Sequence, residues 1–572
     1  MISEFLIKQI ESVAGRYPHR GSALLPALDM VQRENGNSLT KEDIACVASL
    51  VGVSPSKAYG VASYYTMYNK EKVGKYHLQI DTNIPATLMG AGVILKHLEK
   101  KLHIKPGQTT ADGLFTLDEV EDLGSCGTCP VMQVNDVYYE NLTIEKVDEI
   151  IESLKKGIMP PRWDNSHFAS QCNILLKNRA DASCRMITQY QQKGGYKAFA
   201  KAQAMQPSEI LELVKYAIVR GRGGAGFPAG MKWSFLPQNN KGPVYLICNA
   251  DEGEPGTFKD RQIMEYDPHL LIEGILIAAK AIHAKKAFIY IRGEFRWISE
   301  ILDKAISEAR EAGFLSECDI IVHRGEGSYE CGEETALIES LEGKRGCPRL
   351  KPPFPAVKGL YGCPTIVNNV ETLACLPFVL EHGAEEFRKI GVVGNAGPKI
   401  FGVSGHVNNP GVYEYPLGTP LKKILEAAGG VKGNFKAVIV GGLSTPILTA
   451  KEAETLNMDY DACLKAGTML GSGGIMVIND TVAIPPIALR TIEFYAHESC
   501  GQCTPCREGS VAIKTLIKGL IKGHGTKEDI DKILELCNTI MGTTLCPTGD
   551  AFSMPIRAMV QKFRAEFEAL VR

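Results

Sequence analysis

The stretch Val244-Tyr-Leu-Ile-Cys-Asn-Ala-Asp-Glu-Gly-Glu-Pro-Gly256 decides the fold of the larger part of the chain. It starts as an apolar strand and continues directly into a loop with three acids, Asp251, Glu252 and Glu254. Open α/β sheets bind ligands in the loops at the carboxyl edge of their strands. Because neighbouring carboxylates repel one another unless hydroxyls or cations satisfy them, we expect this loop to meet sugar hydroxyls or Mg²⁺.

A second loop, Gly221-Arg-Gly-Gly-Ala-Gly226, precedes this stretch and contains a Gly-x-Gly-x-x-Gly string. A helical pattern comes before it and Pro228 follows it, which disfavours the usual dinucleotide-binding turn, since that turn lies between a strand and a helix. The glycines still allow backbone amides to approach a flat or anionic ligand. Arg222 and Lys232 could neutralise a phosphate there, or could be solvated surface charges.

A third loop, Gly325-Glu-Gly-Ser-Tyr-Glu-Cys-Gly-Glu-Glu-Thr335, follows the strand run 320–323 and opens a helix, and helix N-termini attract anions. Strand runs at 244–248, 287–291 and 320–323 alternate with helical segments. This alternation predicts an open α/β sheet with ligand loops at one edge.

The C-terminal segment contains Cys500-Gly-Gln-Cys-Thr-Pro-Cys506, three thiols spaced by three residues within a helical pattern. Such a loop can supply three ligands of a four-iron cluster, and a fourth must come from elsewhere. Cys546, which precedes Pro547, is the favoured fourth ligand, and Cys537 is the alternative. A structural zinc site is the competing interpretation, although zinc sites commonly use two Cys-x-x-Cys pairs.

Composition excludes several classes of protein. The chain has 572 residues, a net charge of −2, and 45% hydrophobic and 22% charged residues, so we expect several globular domains and no affinity for nucleic acid. The longest apolar run, 269–284, is interrupted by charged residues, and we predict neither a membrane span nor a signal peptide. Seventeen cysteines in a chain that we expect to be cytoplasmic indicate buried thiols or metal ligands rather than disulfides.

The pattern along the chain predicts a multidomain α/β protein. The predicted parts are an N-terminal helical part at 1–75, a small α/β domain at 76–158, a linker and helix at 159–205, an open α/β domain at 206–395, a small domain with one helix against a mixed sheet at 396–482, and a helical cysteine-bearing domain at 483–572.

Five strings in the second half resemble the flavin-bearing, NADH-oxidising subunit of respiratory complex I, which is also the diaphorase subunit of NAD-linked hydrogenases and formate dehydrogenases. They are Gly221 to Phe227, Asn249 to Gly256, Gly332-Glu-Glu-Thr335, Lys351-Pro-Pro-Phe354 and Asn368-Asn-Val-Glu-Thr372. The resemblance implies that FMN and NAD(H) bind here and that residues 399–480 form the β-grasp domain of that family. It also implies one four-iron, four-sulfur cluster on Cys500, Cys503, Cys506 and Cys546.

The resemblance assigns the cofactor-binding residues, and the cofactors perform the chemistry, so no side chain is expected to act as a catalytic acid or base. FMN is expected to lie against Gly221, Arg222, Gly223, Gly226, Lys232, Asn249, Asp251, Glu252, Tyr329, Gly332, Glu333, Asn368, Asn369 and Thr372. NADH is expected to stack between Phe227, Phe235 and Phe354, with Glu254, Glu334 and Lys351 near its sugars and phosphates.

The N-terminal part resembles the thioredoxin-like two-iron subunit of the same complex, through Tyr59-Gly-Val-Ala-Ser-Tyr-Tyr65, Gly74-Lys-Tyr-His77 and Pro130-Val-Met-Gln-Val134. That family has four ligand cysteines, and the matching positions here are Asp81, Ala86, Asp122 and Cys126. A two-iron cluster needs four protein ligands, so we predict that this domain has lost its cluster. Cys129 forms a Cys-x-x-Cys with Cys126, which is either an idle pair of thiols or a redox or metal pair.

The expected function is hydride exchange between NAD(H) and FMN, followed by one-electron transfer through the four-iron cluster to a partner. The expected partners are iron–sulfur subunits of a hydrogenase, a formate dehydrogenase or a similar reductase, without membrane insertion. The alternatives are an iron–sulfur electron carrier without nicotinamide activity and a silent scaffold.

Overall fold

The computed structural model describes residues 2–162 and 166–571. The predicted segment 159–205 therefore includes three residues that lie outside the described part. No single helix in the described part is both long and apolar enough to cross a membrane, although the pair Lys41–Val51 and Pro55–Ala62 passes that test when joined across its 119° bend.

The N-terminal segment is helical. Its helices are Glu4–Gly15, Leu24–Glu34, Lys41–Val51 and Pro55–Ala62, with a 3₁₀ turn at Arg20–Ala23. The third begins at Thr40, whose side chain forms a capping box with Asp43. These helices share one hydrophobic core with the sheet of the central domain, through residues such as Ile247 and Ile321. These helices therefore pack against that sheet and do not form a separate domain.

The thioredoxin-like domain follows. Its five-stranded sheet runs in the order Gln108–Thr109, Phe115–Val120, Tyr76–Asp81, Met132–Val134 and Val137–Tyr139, with only the second and third strands parallel. Its helices are Ile84–Leu88, Ala91–Leu102 and Ile144–Lys155. The sequence predicted one helix from 86 to 102, but Gly90 adopts a φ of +93° and separates two helices.

The central domain is built on a parallel sheet. The strand order is Thr365–Asn369, Tyr245–Ala250, Lys286–Ile291 and Asp319–Arg324. Helices cover its faces: Pro207–Ala217, Ala229–Trp233, Asp260–Tyr266, Pro268–Ala281, Arg296–Glu311, Glu334–Leu341, Pro355–Lys358, Val370–Ala374, Leu376–His382 and Ala384–Lys389. Because the sheet is parallel, the carboxyl ends of all four strands meet at one edge. The acidic loop and the loop 325–335 leave from this edge, after strands Tyr245–Ala250 and Asp319–Arg324.

The β-grasp domain has a six-stranded mixed sheet. The order is Leu448–Thr449, Phe435–Ile439, Gly474–Asn479, Pro398–Gly405, Gly411–Pro416 and His167–Ser170. Leu421–Ala427, Ala450–Ala453 and Tyr460–Lys465 are its helices. The last strand comes from the predicted linker and pairs in parallel with Gly411–Pro416. The same linker supplies helices Ile187–Gln192 and Lys197–Ala204, which pack on the central domain.

The C-terminal domain is a helical bundle. Its helices are Ile484–Glu498, Thr504–Ile521, Lys527–Ile540, Thr548–Lys562 and Arg564–Glu568. Ile, Leu and Phe side chains at helical spacing, among them Ile513, Ile533 and Phe552, form its core. The cysteine loop joins the first two helices, and Cys546 lies just before the fourth.

Candidate functional site

A cavity of about 510 Å³ lies where the loops of the parallel sheet meet the helical bundle. Gly223 and Gly224 line it from the glycine loop, and Thr548 and Met554 line it from the bundle. A volume of this size is within the range of pockets that hold cofactors. The cavity therefore joins two parts of the chain that the sequence singled out independently.

The glycine loop is a turn closed by the hydrogen bond from Gly221 N to Phe227 O, 2.9 Å long. Gly224 has a φ of +147° and open space where a Cβ would stand, whereas a Cβ on Gly223 would lie 3.1 Å from the Asn369 side chain. Gly226 leaves no room for a side chain either, because a Cβ there would meet the Tyr460 ring at 2.5 Å. The loop thus presents bare backbone to the cavity.

Arg222, which was expected to contact the cofactor, turns its fully buried guanidinium away from the cavity. Its Nη2 donates to Ala396 O at 2.8 Å, and its backbone N–H donates to Thr372 Oγ1 at 2.8 Å. The structure therefore brings Thr372 to the glycine loop. It places the Arg222 charge near Glu371 instead of at a position from which it could neutralise a phosphate in the cavity.

The acidic loop satisfies two of its three carboxylates internally. Glu252 accepts backbone N–H bonds from Asp260 at 2.6 Å and Arg261 at 2.9 Å, and it adopts a φ of +25°. Glu254 accepts from Tyr329 Oη and from Ser444 N, both at 2.7 Å. A positive φ is unfavourable for a residue other than glycine by about 1–3 kcal/mol, and such conformations concentrate at functional sites.

Asp251 is the exception in this loop. Its Oδ2 is buried and has no hydrogen-bond partner within the described residues, and it lies 3.6 Å from where a Cβ on Gly332 would stand. Burial raises its pKa well above the ordinary value. A buried polar atom without a partner indicates a missing ligand.

Burial also raises the pKa of Glu252 to about 7, with a contribution from the neighbouring Asp260.

The third loop is joined to the acidic loop through Asn249, whose Nδ2 donates to Gly332 O at 2.9 Å. The two loops therefore form one continuous wall of the cavity.

Two acids of the third loop, Glu333 and Glu334, are paired with lysines. Glu333 caps the helix Glu334–Leu341 and accepts from Lys351 Nζ at 2.7 Å. Glu334 accepts from Lys232 Nζ at 2.6 Å. Although burial acts in the opposite direction, Lys232 and Lys351 lower the pKa of Glu334. Both expected lysines therefore lie at the site, each within reach of an expected acid.

Three aromatic rings that were expected to stack on a nicotinamide are unusually exposed. Phe227, Phe235 and Phe354 have exposed fractions of 48%, 54% and 58%. The centroids of the Phe227 and Phe235 rings are 5.9 Å apart, and Phe354 follows Lys351 on the segment tied to Glu333. Exposed apolar rings are typical of a ligand-stacking surface, and Phe227 lies two residues after Ala225, which lines the cavity.

Strand Thr365–Asn369 also contributes to the cavity wall, through Asn369. The sequence analysis did not predict this strand. Asn368 Oδ1 accepts from Trp233 Nε1 at 2.8 Å, and Asn369 Nδ2 donates to Asp260 Oδ2 at 2.6 Å. The analysis also missed Lys259, a buried lysine that lines the cavity and pairs with Asp260 at 2.7 Å. Its position three residues after the acidic loop was the available signal.

The four cysteines expected to hold iron are gathered at one end of the bundle. Cys503 is the N-cap of helix Thr504–Ile521, Cys506 lies in the first turn, and Cys546 lies against Thr548 at a Sγ–Oγ1 distance of 3.3 Å. Burial raises the pKa of Cys506 to about 11 and of Cys546 to about 12, and each of these thiols also responds to the charge of a neighbouring cysteine. Cys537, the alternative, is fully buried in the bundle core.

A fifth thiol that the sequence analysis did not single out lies at the same place. Cys347, from the loop that follows helix Glu334–Leu341, lies near Cys500, and this neighbour lowers the pKa of Cys347 to about 7. No spacing rule connects Cys347 to the cysteine loop, so only the fold shows that it lies here.

In the thioredoxin-like domain, three of the positions that match the ligand cysteines of the two-iron family contact Asn83 and form one polar network. Asn83 Nδ2 donates to Asp122 Oδ1 at 2.7 Å and contacts Asp81 Oδ2 at 3.1 Å and Cys126 Sγ at 3.3 Å. Arg292 of the central domain pairs with Asp122 Oδ2 at 2.8 Å. Ala86 offers no ligand atom, and Cys126 and Cys129 are both buried thiols outside any disulfide.

Family models match four regions of the chain. The "Nuo51 FMN-binding domain" matches residues 214–377, and the "NADH-ubiquinone oxidoreductase-F iron-sulfur binding region" matches 486–570. The "Thioredoxin-like [2Fe-2S] ferredoxin" matches 10–155, and the "SLBB domain" matches 400–447.

Similar proteins agree with these regions. An NADH-quinone oxidoreductase F subunit of Rhizobium meliloti (strain 1021) is 49% identical over 408 residues, which are 69% of this chain and 97% of that protein. The F subunit of Rickettsia bellii (strain OSU 85-389) is 51% identical over 375 residues, which are 64% of this chain and 90% of that protein. The chain belongs to the family of NADH-quinone oxidoreductase F subunits. The resemblance noted in the sequence is thus confirmed, as is the multidomain α/β fold.

A solved structure also matches the N-terminal part of this chain. It is the NAD⁺-reducing [NiFe]-hydrogenase in the air-oxidized state, with 31% identity, a TM-score of 0.86, and coverage of 96% of this chain and 93% of that chain. The chain thus carries a region that matches the thioredoxin-like model, at 10–155, in addition to a region of the F-subunit type.

The residues of this F-type chain fit both implied groups. The glycine loop leaves space for a planar ring system, and the unpartnered Asp251 Oδ2 is available to a hydroxyl of a ribityl chain. A set of cysteine thiols is the donor chemistry that iron–sulfur clusters use.

Proposed function

We propose that the chain is the NADH-oxidising, or NAD-reducing, flavoprotein component of a multisubunit oxidoreductase. The observation that carries the proposal is the shared cavity, because loops of the parallel sheet form one side and the helix that follows Cys546 forms the other. The cavity lining includes Ala225, two residues before Phe227, and Pro547, the residue after Cys546.

FMN, when bound, supplies the ability to take up a hydride and release electrons singly. The chain's own residues bind and orient. The glycine loop, Asp251, Glu252, Asn249, Asn369 and Thr372 hold the flavin, while Lys232 and Lys351 compensate the charge of the neighbouring acids. Phe227, Phe235 and Phe354 stack the nicotinamide, and correct stacking raises the effective molarity of the reacting pair.

Glu254 is proposed to accept hydrogen bonds from hydroxyl groups of the nicotinamide nucleotide. Its carboxylate is fixed by Tyr329 and by the β-grasp residue Ser444, so two domains meet at this residue. Cys500, Cys503, Cys506 and Cys546 are proposed to ligate one four-iron cluster at the bundle side of the cavity.

The N-terminal domain is proposed to lack a two-iron cluster and to serve as a docking scaffold. The support is chemical: Ala86 has no donor atom, and Asp81 and Asp122 already satisfy Asn83 and Arg292. Electrons then leave through a separate iron–sulfur protein, and a hydrogenase, a formate dehydrogenase or a similar reductase provides one.

The test is anaerobic addition of NADH to the purified holoprotein while flavin absorbance is recorded. Bleaching of the flavin band, together with release of FMN on denaturation, is the expected result. Protein with flavin that NADH does not bleach is an electron carrier, and colourless protein is a scaffold. Either result overturns the proposal.

A further inference from the structure

A second cavity, of about 210 Å³, lies where the thioredoxin-like domain, the central domain and the helical bundle meet. Seven of the side chains that line it are carboxylic acids, and among its described lining residues Arg292 is the only one with a permanent positive charge. Arg292 is already paired with Asp122 and Glu294. A cleft lined by one sign of charge concentrates ions of the opposite sign, here cations.

Three of the lining residues bring possible metal ligands together. Glu121 follows strand Phe115–Val120 of the thioredoxin-like domain, and His497 and Glu498 are the last two residues of helix Ile484–Glu498 in the bundle. One ligand atom from each side chain lies within 4.8 Å of the other two. Imidazole nitrogen and carboxylate oxygen are the ligands that divalent transition-metal ions such as Zn²⁺ take from proteins.

The distances between these atoms fit a shared metal ion. His497 Nδ1 lies 3.2 Å from Glu121 Oε1 and 3.6 Å from Glu498 Oε1. Two ligand atoms that are each about 2.1 Å from a tetrahedral metal ion lie about 3.4 Å apart. Hydrogen bonds between a charged nitrogen and a carboxylate are shorter, about 2.7–2.9 Å. A metal ion therefore accounts for this spacing better than an ion pair with protonated His497.

A buried oxygen without a partner lies on the wall of the same cavity. Gln133 is 3% exposed, and its Oε1 has no hydrogen-bond partner within the described residues. An amide oxygen can only accept, and a buried polar atom without a partner indicates an absent ligand or water. A hydrated metal ion provides the donor, because the water molecules bound to it point their hydrogens outward.

We propose that Glu121, His497 and Glu498 bind one divalent transition-metal ion, of the class of Mn²⁺ and Zn²⁺, which fastens the thioredoxin-like domain to the bundle. Glu498 Oε2 also accepts from the backbone N–H of Tyr329 at 2.9 Å, so the same ligand is tied to the central domain. The site uses no cysteine and no flavin contact. The inference therefore goes beyond the proposed function and does not depend on it.

The test is a titration of the full-length holoprotein with Mn²⁺, which prefers oxygen ligands to the thiolates of the proposed cluster. Metal that co-purifies is measured first and removed with a chelator, and iron and FMN are then quantified. Free Mn²⁺ is followed by its electron paramagnetic resonance signal. We expect about one Mn²⁺ per chain, displaced by an equivalent of Zn²⁺, because nitrogen and oxygen sites bind Zn²⁺ more tightly. Pulsed spectra of the bound Mn²⁺ should show coupling to an imidazole nitrogen.

Glu121→Gln and His497→Gln each remove one ligand. We expect the affinity for Mn²⁺ to fall by about tenfold or more, since even a change to a group that only orients a ligand costs that much. Mn²⁺ should also raise the Tm of the wild type but not of these variants, because a ligand bound to the folded state stabilises it.

The matched control is Glu119→Gln. Glu119 lines the same cavity two residues before Glu121, but it does not belong to the group of three ligands. This variant removes the same charge from an exposed side chain. We expect the affinity for Mn²⁺ to change by less than about threefold, the scale of an exposed charge.

Each outcome decides the inference. A wild type that binds neither Mn²⁺ nor Zn²⁺ overturns it and leaves His497 as the cation of an ion pair. Binding that Glu119→Gln weakens as much as Glu121→Gln overturns it too, because the cavity then attracts cations by its charge alone. Bound Mn²⁺ without nitrogen coupling excludes His497 as a ligand, and this measurement on the wild type decides the matter if a variant does not fold. Wild-type protein without FMN or iron contradicts the proposed function and not this site.

Discussion

At the scale of single residues, Glu254 is a sharp test of the nicotinamide site. Its carboxylate accepts from Tyr329 Oη and Ser444 N, and an amide can accept at only one of its two ends. For Glu254→Gln we expect kcat/KM for NADH to fall about tenfold, the effect of one hydrogen bond to a charged group. FMN content should not change.

The measurement is steady-state NADH oxidation with an artificial acceptor, alongside the flavin released on denaturation. The control is Glu452→Gln, a partly exposed helix-capping residue of the β-grasp domain. Unchanged kinetics in the Glu254 variant would remove this residue from the nicotinamide site.

A second residue-scale prediction separates the two electron-transfer steps. Cys503→Ser removes one proposed ligand at the N-cap of helix Thr504–Ile521. We expect iron content and the transfer of electrons to a cluster-dependent acceptor to be lost. NADH oxidation by a two-electron acceptor should remain, because the flavin cavity is built from other residues.

Cys537→Ala is the comparison for that experiment, since Cys537 is buried in the bundle core. It should retain iron at a modest loss of stability. If the Cys537 variant loses iron and a Cys546→Ser variant keeps it, the assignment of the fourth ligand is wrong.

Residue identities at the site were largely accessible from the sequence, because the acids and glycines lie in short loops, two of them directly after apolar strands. Glu330 and Cys347 were not singled out, for a physical reason. Each lies near a residue far away in the chain, Cys546 or Cys500, and local spacing carries no information about such contacts.

At the scale of secondary-structure elements, a buried charge cluster joins the β-grasp sheet to the central domain. Glu371, in helix Val370–Ala374, accepts from Lys399 Nζ at 2.8 Å and from Lys259 Nζ at 2.9 Å. Against the effect of burial, the two lysines lower the pKa of Glu371 to about 2. Lys259 also pairs with Asp260, whereas Lys399 pairs with Glu371 and shares it with Lys259.

Lys399, in strand Pro398–Gly405, is the less well compensated lysine, and burial, aided by Lys259, lowers its pKa from 10.5 to about 8. Between these two values the unfolded chain binds more protons than the folded chain, so stability rises with pH in this window. For Lys399→Met we expect this contribution, roughly 3 kcal/mol, to disappear.

The measurement is the free energy of unfolding of wild type and variant at several pH values from neutral to alkaline. The difference between the two proteins should change across the window, which cancels the other groups that titrate there. Parallel curves would show that Lys399 is charged throughout and that the cluster is balanced by other groups.

The same scale shows where element prediction from sequence failed. Strand Thr365–Asn369 was not predicted because it is short, follows a Pro and ends in two Asn, although its apolar centre pairs in register with Tyr245–Ala250. Strand His167–Ser170 was assigned to a linker, since its hydrogen-bonding partner, Gly411–Pro416, lies far along the chain. Both errors concern pairings that only the tertiary fold determines.

At the scale of the whole molecule, the thioredoxin-like domain packs against the central domain and pairs with it by charge. These contacts lie at the positions that match the cluster ligands of the two-iron family. The loop 124–128 packs so tightly that a Cβ on Gly127 would meet the Phe258 ring at 2.6 Å, and a Cβ on Gly124 would meet the Phe295 ring at 2.7 Å. The ion pair of Arg292 with Asp122 fixes the same loop. This contact gives the domain a structural role that does not depend on a bound cluster.

The iron content of the intact protein tests this view of the molecule. One four-iron cluster on the bundle and none on the N-terminal domain predict about four irons per chain. The expected spectrum has a single cluster signal that disappears in Cys503→Ser and persists in Asp122→Asn, because Asp122 is engaged by Arg292 and Asn83. About six irons per chain, with a second signal that Asp122→Asn removes, would mean that carboxylates and Cys126 still hold a two-iron cluster. The N-terminal domain would then be part of the electron path instead of a scaffold.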